Sequence, residues 1–464
     1  MRYSKLMLVV LGALGMQMAG ATPTPEEAAQ LGKTLTPMGA IKAGNKEGTI
    51  PEWTGGVCTP PAGYKPARGL DEAGGPHVEL FPNEKPLFKI TAENLAQYAD
   101  KVDGGSKELF RRFPKTFYMN VYPTHRTACH AQWVYDNTIK NVMRPQIVGG
   151  AIPSVTGAKA QVPFPIPKSG VEAIWNVNLV VAPAYNQTNY LTWYVDSSGK
   201  TAMIDSDWSK SYSAYWDTSL ASLPDDKPYF QQLTNKQFPP SLAGNAMMFH
   251  RFLRQDLKGD PVWSYIPGQR RVRLAPEFAY DGVAPSAGGT LLYDEANGFS
   301  GKMDRFDFKL LGRKEYYIAY NSSDELLSKK EVATPNHLSP EAVRYELHRV
   351  WVVEATIRPG ERHVSKTKTF LIDEDSWSYA AFWATDNAGK IGHMDFWNLI
   401  QAPELPYMQY SSYQSYDLTK GAYAHWLMMP AVGENGFKVF GRAKAMPLKS
   451  SLFVPEAMSG SGVR

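Results

Sequence analysis

Residues 343–399 read VRYELHRVWVVEATIRPGERHVSKTKTFLIDEDSWSYAAFWATDNAGKIGHMDFWNL and form four strand-like runs separated by three turn signals. In the first run, apolar residues occupy alternate positions up to Ile357, and Arg349 is the one exception. An alternation with a period of two is typical of a strand with one buried face and one solvated face. The stretch therefore predicts an antiparallel meander, with Glu346 and Glu354 on the solvated face of its first strand.

The turns support this prediction and recur upstream. Pro359-Gly360 supplies the fixed φ and the positive φ that a tight reversal needs, and residues 386–389 (DNAG) form another turn cluster. Pro267-Gly268 has the same chemistry between two further strand-like runs, VWSYI and RVRL. Repeated hairpin signals of this kind favour a large antiparallel sheet.

The period-two signal is concentrated between residues 190 and 399, and no repeat of fixed length is present. We expect a mainly β (α+β) fold in three parts: a signal peptide (1–21), a loop- and helix-rich segment that wraps the core (22–165), and a β-rich core (166–464). The core is expected to end in an irregular, aromatic tail after Gln401. The wrapping segment and the core are expected to form one structural unit.

The first 21 residues have the pattern of a secretory signal. Arg2 and Lys5 precede the short apolar run 6–14, and Ala-Gly-Ala, ending at Ala21, resembles a cleavage site. No cysteine stands at that site, so we expect a periplasmic protein that is not lipidated there. Loss of Arg2 and Lys5 lowers the formal net charge from +4 to +2, which argues against a nucleic-acid-binding protein.

The chain has two cysteines, Cys58 and Cys129. In an exported protein, an isolated pair predicts one disulfide, and two unpaired thiols are the alternative. A bridge that closes a loop of this size stabilises the folded state by about 4 kcal/mol in a chain-entropy treatment.

Three motifs resemble the DUF1329 family of exported Gram-negative proteins: LTPMGAIKAGNKEGTIPEWTGG (35–56), WSYIPGQRRVRLAP (263–276), and YELHRVWVVEATIRPGERH with KTFLIDEDSW (345–377). The family is grouped with the lipoprotein carriers LolA and LolB. The resemblance implies an unclosed β-barrel of the LolA–LolB type, with covering helices and long loops and an apolar inner face that holds acyl chains. This chain is more than twice as long as those carriers and lacks the lipidated cysteine of the LolB type.

Members of the family tend to be encoded beside an RND-type (MMPL) exporter and an outer-membrane protein, which the resemblance implies as partners. Six strand residues are candidates for the lining of a hydrophobic ligand site: Trp263, Tyr265, Tyr345, Trp351, Val353 and Phe370. The alternative is that they are ordinary core residues, because large aromatic side chains are usually buried.

Arg270, Arg271 and Arg273 cluster at a hairpin and are candidates for binding an anionic head group, since arginine makes bidentate contacts with phosphate and carboxylate. The alternative is a solvated strand face.

The sequence predicts neither a metal site nor a cofactor. His125, Cys129 and His130 lie close together, but a second pair at ligand spacing is missing. Asp373-Glu374-Asp375 lacks the further oxygen ligands of a calcium loop, so we interpret it as a turn between strands.

No hydrolase, kinase or dinucleotide motif occurs, so no catalytic residue is predicted. The leading hypothesis is a periplasmic carrier of a lipid-like ligand. The alternatives are an envelope scaffold with a filled core and a hydrolase with an unrecognised site.

Overall fold

The computed structural model describes residues 22–62, 64, 80–276, 278–323, 332–403, 406–428, 438–440 and 450–460. The predicted signal peptide, residues 1–21, lies outside this part of the chain. Four short α-helices lie within these residues: α1 (Pro25–Ala28), α2 (Gly104–Arg112), α3 (Gln132–Asn141) and α4 (Gly170–Asn178). No helix in the described part of the chain combines the length and the apolar character that crossing a bilayer requires.

Besides short 3-10 helices, the described residues also contain eighteen strands. They are β1 (Phe88–Ile90), β2 (Met119–Val121), β3 (Gln146–Val148), β4 (Ser154–Thr156), β5 (Tyr185–Val195), β6 (Thr201–Ser213), β7 (Phe230–Phe238), β8 (Ala246–Arg251), β9 (Val262–Ile266), β10 (Arg271–Leu274), β11 (Phe306–Ala319), β12 (Tyr345–Ile357), β13 (Thr367–Asp373), β14 (Tyr379–Thr385), β15 (Ile391–Gln401), β16 (Met408–Asp417), β17 (Ala422–Met428) and β18 (Lys438–Phe440).

Sixteen of these strands form one sheet, in the order β1-β2-β12-β13-β14-β15-β16-β17-β5-β6-β7-β8-β9-β10. Strand β11 also pairs along β12, and β18 pairs with β5. Neither β1 nor β10 continues to a further strand within the described residues, so the sheet is unclosed. The predicted mainly β fold with few helices is confirmed, and the predicted meander corresponds to the antiparallel series β12 to β15.

The two faces of the central strands carry different cores. On one face, Phe382, Trp397, Tyr413 and Trp426 follow one another across four strands, and the ring centroids of Tyr413 and Trp426 are 5.2 Å apart. This row, together with Phe370 on β13, is the aromatic strip. It belongs to the same core cluster as Ile174 and Trp175 of α4.

The opposite face is covered by the N-terminal part of the chain. Leu109 and Phe110 of α2 belong to a second cluster with Met394 of β15 and Tyr416 of β16. The residues that precede and follow Met394 and Tyr416 in their strands point to the opposite face of the sheet. Helix α2 lies close to the sheet because it begins with glycine: a Cβ atom on Gly104 would lie 2.8 Å from the Trp383 ring. The central strands are therefore buried on both faces.

Because the N-terminal part of the chain covers the second face of the sheet, the prediction of a solvated position for Glu346 is wrong. Glu346, expected on a solvated face, has no exposed surface, and its neighbour His348 is 1% exposed. Glu346 is buried because it is an ionic partner: it accepts a hydrogen bond from Arg344 Nε at 2.6 Å and another from the His125 main-chain nitrogen at 2.8 Å. Glu354, by contrast, is half-buried.

The chain beyond Gln401 also differs from the expected irregular tail. Strands β16 and β17 continue the sheet and connect the meander to β5. Strand β16 reads MQYSSYQSYD and has no apolar alternation from which a strand could be predicted. Nine of its ten residues are nevertheless buried. Its hydroxyl and amide groups bond within the structure, as Ser411 Oγ does to the Ser322 carbonyl at 2.9 Å.

Candidate functional site

The predicted disulfide is present between Cys58 and Cys129, whose Cα atoms are 5.4 Å apart. The two residues are 71 positions apart in the sequence, so the bridge holds two separate segments of the wrapping region side by side. Next to it, the Val57 main-chain nitrogen donates to the Thr127 carbonyl at 2.9 Å, which pairs the two segments directly.

These two segments form one side of an open groove of about 420 Å³. Its lining is mostly apolar, aromatic or sulfur-containing: Pro37, Trp53, Gly55, Cys58, Cys129, His130, Ala131, Gln132, Tyr135 and Pro406. The rings of Trp53 and Tyr135 meet edge to face with centroids 6.2 Å apart. We call this cavity the disulfide groove.

Local hydrogen bonds fix the lining side chains. The Trp53 main-chain nitrogen donates to the Lys42 carbonyl at 2.8 Å, and its indole nitrogen approaches the Ala128 carbonyl at 3.5 Å. Tyr135 lies in the first turn of α3, and its hydroxyl accepts from the His130 main-chain nitrogen at 2.8 Å. The aromatic walls of the groove are therefore positioned before any ligand arrives.

His130 is an unusual lining residue because it is 2% exposed and neither ring nitrogen has a hydrogen-bond partner among the described residues. Burial lowers the pKa of the imidazole to about 4, although the nearby Asp375 carbonyl and carboxylate oppose the shift. The ring is therefore neutral at neutral pH. It offers no positive charge to a ligand head group.

An ionic cluster behind the groove joins the wrapping segment to the sheet. The Arg126 guanidinium binds both carboxylate oxygens of Asp375, with Nε–Oδ2 at 2.8 Å and Nη2–Oδ1 at 2.6 Å. Glu374 accepts from Arg349 at 2.9 Å and lies 3.0 Å from Arg313. The acids lie in the turn between β13 and β14, as the sequence indicates, but their partners come from distant parts of the chain.

The six predicted lining residues do not meet around one cavity. Trp351, Val353 and Phe370 are buried in the core cluster that contains the aromatic strip. Trp263 and Tyr265 pack with Met248 and Met458 in a separate small cluster. Tyr345 borders an enclosed cavity of about 10 Å³, which has room for about one water molecule.

The three candidate arginines remain on the surface. Arg270, Arg271 and Arg273 are exposed on the β9–β10 hairpin, where Arg270 has a left-handed backbone with φ of 48°. Arg273 pairs with Ser264 and Arg271 with Ile266 across the ladder. The hairpin lies on the unpaired side of the sheet, and its arginines do not line the disulfide groove.

Two buried ionic groups lie where the sequence gives no sign of them. Lys368, with no exposed surface, donates to Asp294 at 2.8 Å and lies 3.6 Å from Glu295. On β6, Asp205 and Asp207 share Lys236, which is 3.1 Å from Asp207. Burial raises the pKa of Asp207 to about 7, with Lys236 opposing the shift and Asp205 adding to it.

Comparison with known proteins gives the family. Residues 89–458 match the family described as "Protein of unknown function (DUF1329)". An uncharacterized protein of Pseudomonas aeruginosa is 35% identical over 448 residues, which cover 91% of this chain and 92% of the relative.

Two solved structures are similar to parts of the chain at low identity. A Vibrio parahaemolyticus domain whose name refers to outer membrane lipoprotein sorting is 12% identical, with a TM-score of 0.43, and covers 63% of this chain and 98% of its own. A DUF1329 family protein from Desulfovibrio piger is 12% identical, with a TM-score of 0.42, and covers 62% of this chain and 97% of its own. Likenesses of this extent carry no functional conclusion. The family match and the P. aeruginosa relative are sufficient: the chain belongs to the DUF1329 family.

Proposed function

We propose that this DUF1329 protein is an envelope binding or carrier protein that holds a hydrophobic, lipid-like ligand in the disulfide groove. The observation that supports the proposal is the groove itself, with a volume of about 420 Å³ and walls that include Trp53, Tyr135 and Pro37. Ligand sites typically measure about 300–1,000 Å³ and combine apolar walls with few polar groups. The neutral imidazole of His130 suits an uncharged or weakly polar portion of the ligand.

The groove is a better candidate than a hollow beneath the sheet. The aromatic strip and α4 occupy one face of the central strands, and α2 occupies the other. The enclosed cavity at Tyr345, at about 10 Å³, is far too small for an acyl chain. A ligand that enters the groove displaces no core side chain.

The proposal places the protein in the periplasm, not lipidated at the cleavage site. The signal-like residues 1–21 and the Cys58–Cys129 bridge support this compartment, because disulfides persist in oxidising environments. An RND-type exporter and an outer-membrane protein are the proposed partners, on the strength of the family resemblance. The proposal is a binding role and assigns no catalytic step. Crosslinking in intact cells followed by mass spectrometry tests the partnership, and recovery of neither partner contradicts it.

Ligand extraction and displacement test the binding role. One sample of protein purified from cells is extracted with organic solvent, and the extract is analysed for lipid. A second sample is stripped of bound lipid and titrated with a fluorescent fatty acid. Ala131→Trp places a large ring in the groove and is expected to weaken probe binding at least tenfold. Leu242→Trp, at an exposed loop residue, adds the same side chain elsewhere and is the matched control. Equal affinity of the two variants contradicts the groove as the site.

The filled core favours a second candidate function, an envelope scaffold without a ligand. Both faces of β12 are covered, and the strand contributes to an interior built from its own side chains. A scaffold is expected to yield no extracted lipid and no saturable probe binding. Recovery of the same crosslinked partner with Ala131→Trp as with the wild type would then support the scaffold.

A further inference from the structure

Three buried side chains near the turn between β13 and β14 bring together a set of metal-ligand atoms. His348 of β12, Asp373 at the end of β13 and Asp375 in the turn each place one ligand atom within 4.8 Å of the other two. All three residues are buried, with exposures of 1%, 0% and 4%. One nitrogen and two carboxylate oxygens at this spacing reach a common ion at about 2.0–2.2 Å if the ligand atoms move about 1 Å closer together.

One ring nitrogen of the histidine has a carboxylate partner, as is usual for metal-binding histidines. Its Nε2 atom lies 3.2 Å from Glu346 Oε2, and its ring stacks on Tyr320 with centroids 3.8 Å apart. A carboxylate that accepts from one ring nitrogen fixes the tautomer and leaves the other nitrogen as a donor to a metal. Glu346 is itself held by Arg344 Nε at 2.6 Å, so the ring has little freedom to turn away.

Asp373 supplies an independent sign of a missing ligand. Its Oδ2 atom accepts from the Ser376 hydroxyl at 2.6 Å and from the Ser376 main-chain nitrogen at 3.0 Å. Its Oδ1 atom is buried and has no hydrogen-bond partner in the described part of the chain. An unpartnered buried carboxylate oxygen costs free energy, and a bound cation would recover that cost.

Arg126 does not prevent this arrangement. It contacts Asp375 through two hydrogen bonds of 2.8 and 2.6 Å, which use one lone pair on each oxygen. A carboxylate has about four lone-pair sites, so Asp375 retains capacity for a metal.

From these contacts we propose that His348, Asp373 and Asp375 form a binding site for a divalent transition-metal cation of the Zn²⁺ or Mn²⁺ class. The nitrogen ligand favours such ions over Ca²⁺ and Mg²⁺, which prefer oxygen ligands alone. Because the turn is also bound by Arg126, the ion would fasten the wrapping segment to β12 and β13. This site adjoins the disulfide groove, because the groove residue His130 lies beside Asp375, but none of the three metal-ligand residues lines the groove.

Metal content tests the proposal directly. The full chain is produced in medium supplemented with Zn²⁺ or Mn²⁺, dialysed, and analysed for metal by mass spectrometry. Asp373→Asn removes a ligand with little change in size, and Glu374→Gln removes a neighbouring buried carboxylate that is not in the ligand set. We expect the wild type and Glu374→Gln to retain the ion, and Asp373→Asn to bind it at least about tenfold more weakly.

Two further measurements keep the result interpretable. Chain refolded with Co²⁺ is expected to show visible absorption that His348→Gln abolishes, and circular dichroism checks that the variants fold. If Asp373→Asn does not fold, the proposal is tested by His348→Gln instead: visible Co²⁺ absorption equal to that of the wild type would overturn it. A wild-type chain that retains no Zn²⁺, Mn²⁺ or Co²⁺ overturns the proposal, as does equal metal retention by Asp373→Asn and Glu374→Gln.

Discussion

Replacing Arg126 by methionine removes the cation that fastens the wrapping segment to the sheet. The guanidinium makes two bonds to Asp375, at 2.8 and 2.6 Å, and also donates to the carbonyls of Ile41 at 2.9 Å, Lys42 at 3.0 Å and Pro51 at 3.3 Å. The Arg126 and Asp375 side chains are each 2% exposed. The substitution therefore leaves a buried carboxylate and the Ile41 and Pro51 carbonyls without their donor, whereas the Lys42 carbonyl keeps the Trp53 main-chain nitrogen.

The magnitude follows from the burial of this pair. Breaking a buried ion pair from one side costs about 3–5 kcal/mol, and the orphaned carbonyls add to it, so Arg126→Met is expected to lower the unfolding free energy by about 5 kcal/mol. Arg126→Lys keeps the charge but loses the fork geometry, so we expect a smaller loss of about 2 kcal/mol. Arg126→Met with Asp375→Leu removes both charges and is expected to recover at least half of the loss.

Urea unfolding followed by tryptophan fluorescence measures these differences. Limited trypsin digestion adds a local measurement, since Lys42 and Lys46 lie in the segment that Arg126 holds. Arg126→Met is expected to expose both lysines to cleavage before the sheet is cut. An unfolding free energy within about 1 kcal/mol of the wild type, with unchanged digestion, would show that Arg126 does not hold the wrapping segment on the sheet.

Three further predictions concern other parts of the chain. Cys58→Ser with Cys129→Ala opens a loop of 71 residues and is expected to cost about 4 kcal/mol in urea unfolding; a loss that reductant reproduces in the wild type confirms the cause. Burial raises the pKa of Asp207 to about 7, so the folded Asp205–Asp207 pair holds a proton that the unfolded chain releases near 3.8. This contribution to the unfolding free energy is complete at low pH and is lost as the pH rises towards 7. In Asp207→Asn, the fall in unfolding free energy over this pH range is expected to be smaller by up to about 4 kcal/mol. Unfolding free energies of the variant and the wild type that change in parallel with pH would contradict this. Trp397→Ala removes a ring of the aromatic strip that is 1% exposed, and it is expected to cost about 3–5 kcal/mol and to create an apolar cavity. Xenon-induced NMR shifts at residues around position 397 in the variant but not in the wild type check this, and the same shifts there in both would show that the core already has a hollow.

The local sequence patterns predicted where the strands lie more accurately than which faces of the strands are covered. The alternation from Tyr345 to Ile357 and the turn at Pro359-Gly360 identify β12 and its reversal. The same alternation predicted a solvated side for Glu346, because a sequence pattern cannot show that α2 and the wrapping segment cover the second face. A strand such as β16, rich in serine, tyrosine and glutamine, has no alternation at all.

The candidate sites depend on contacts between residues that are far apart in the sequence. The two cysteines were paired correctly because a chain with only two offers one intramolecular pairing. Arg126 and Asp375 are 249 residues apart, and His125 and Glu346 are 221 apart, so spacing alone could not bring them together. The aromatic candidates Trp351 and Phe370 fill the core, which is the usual fate of large rings on central strands.

The position of a bound ligand shows whether the disulfide groove or the sheet core is the binding site. Crystals grown with a bromine-labelled fatty acid would show the label by its anomalous X-ray scattering. We expect a bromine peak in the disulfide groove, within van der Waals contact of Trp53 or Tyr135. A peak among the rings of the aromatic strip, with those side chains displaced, would contradict it.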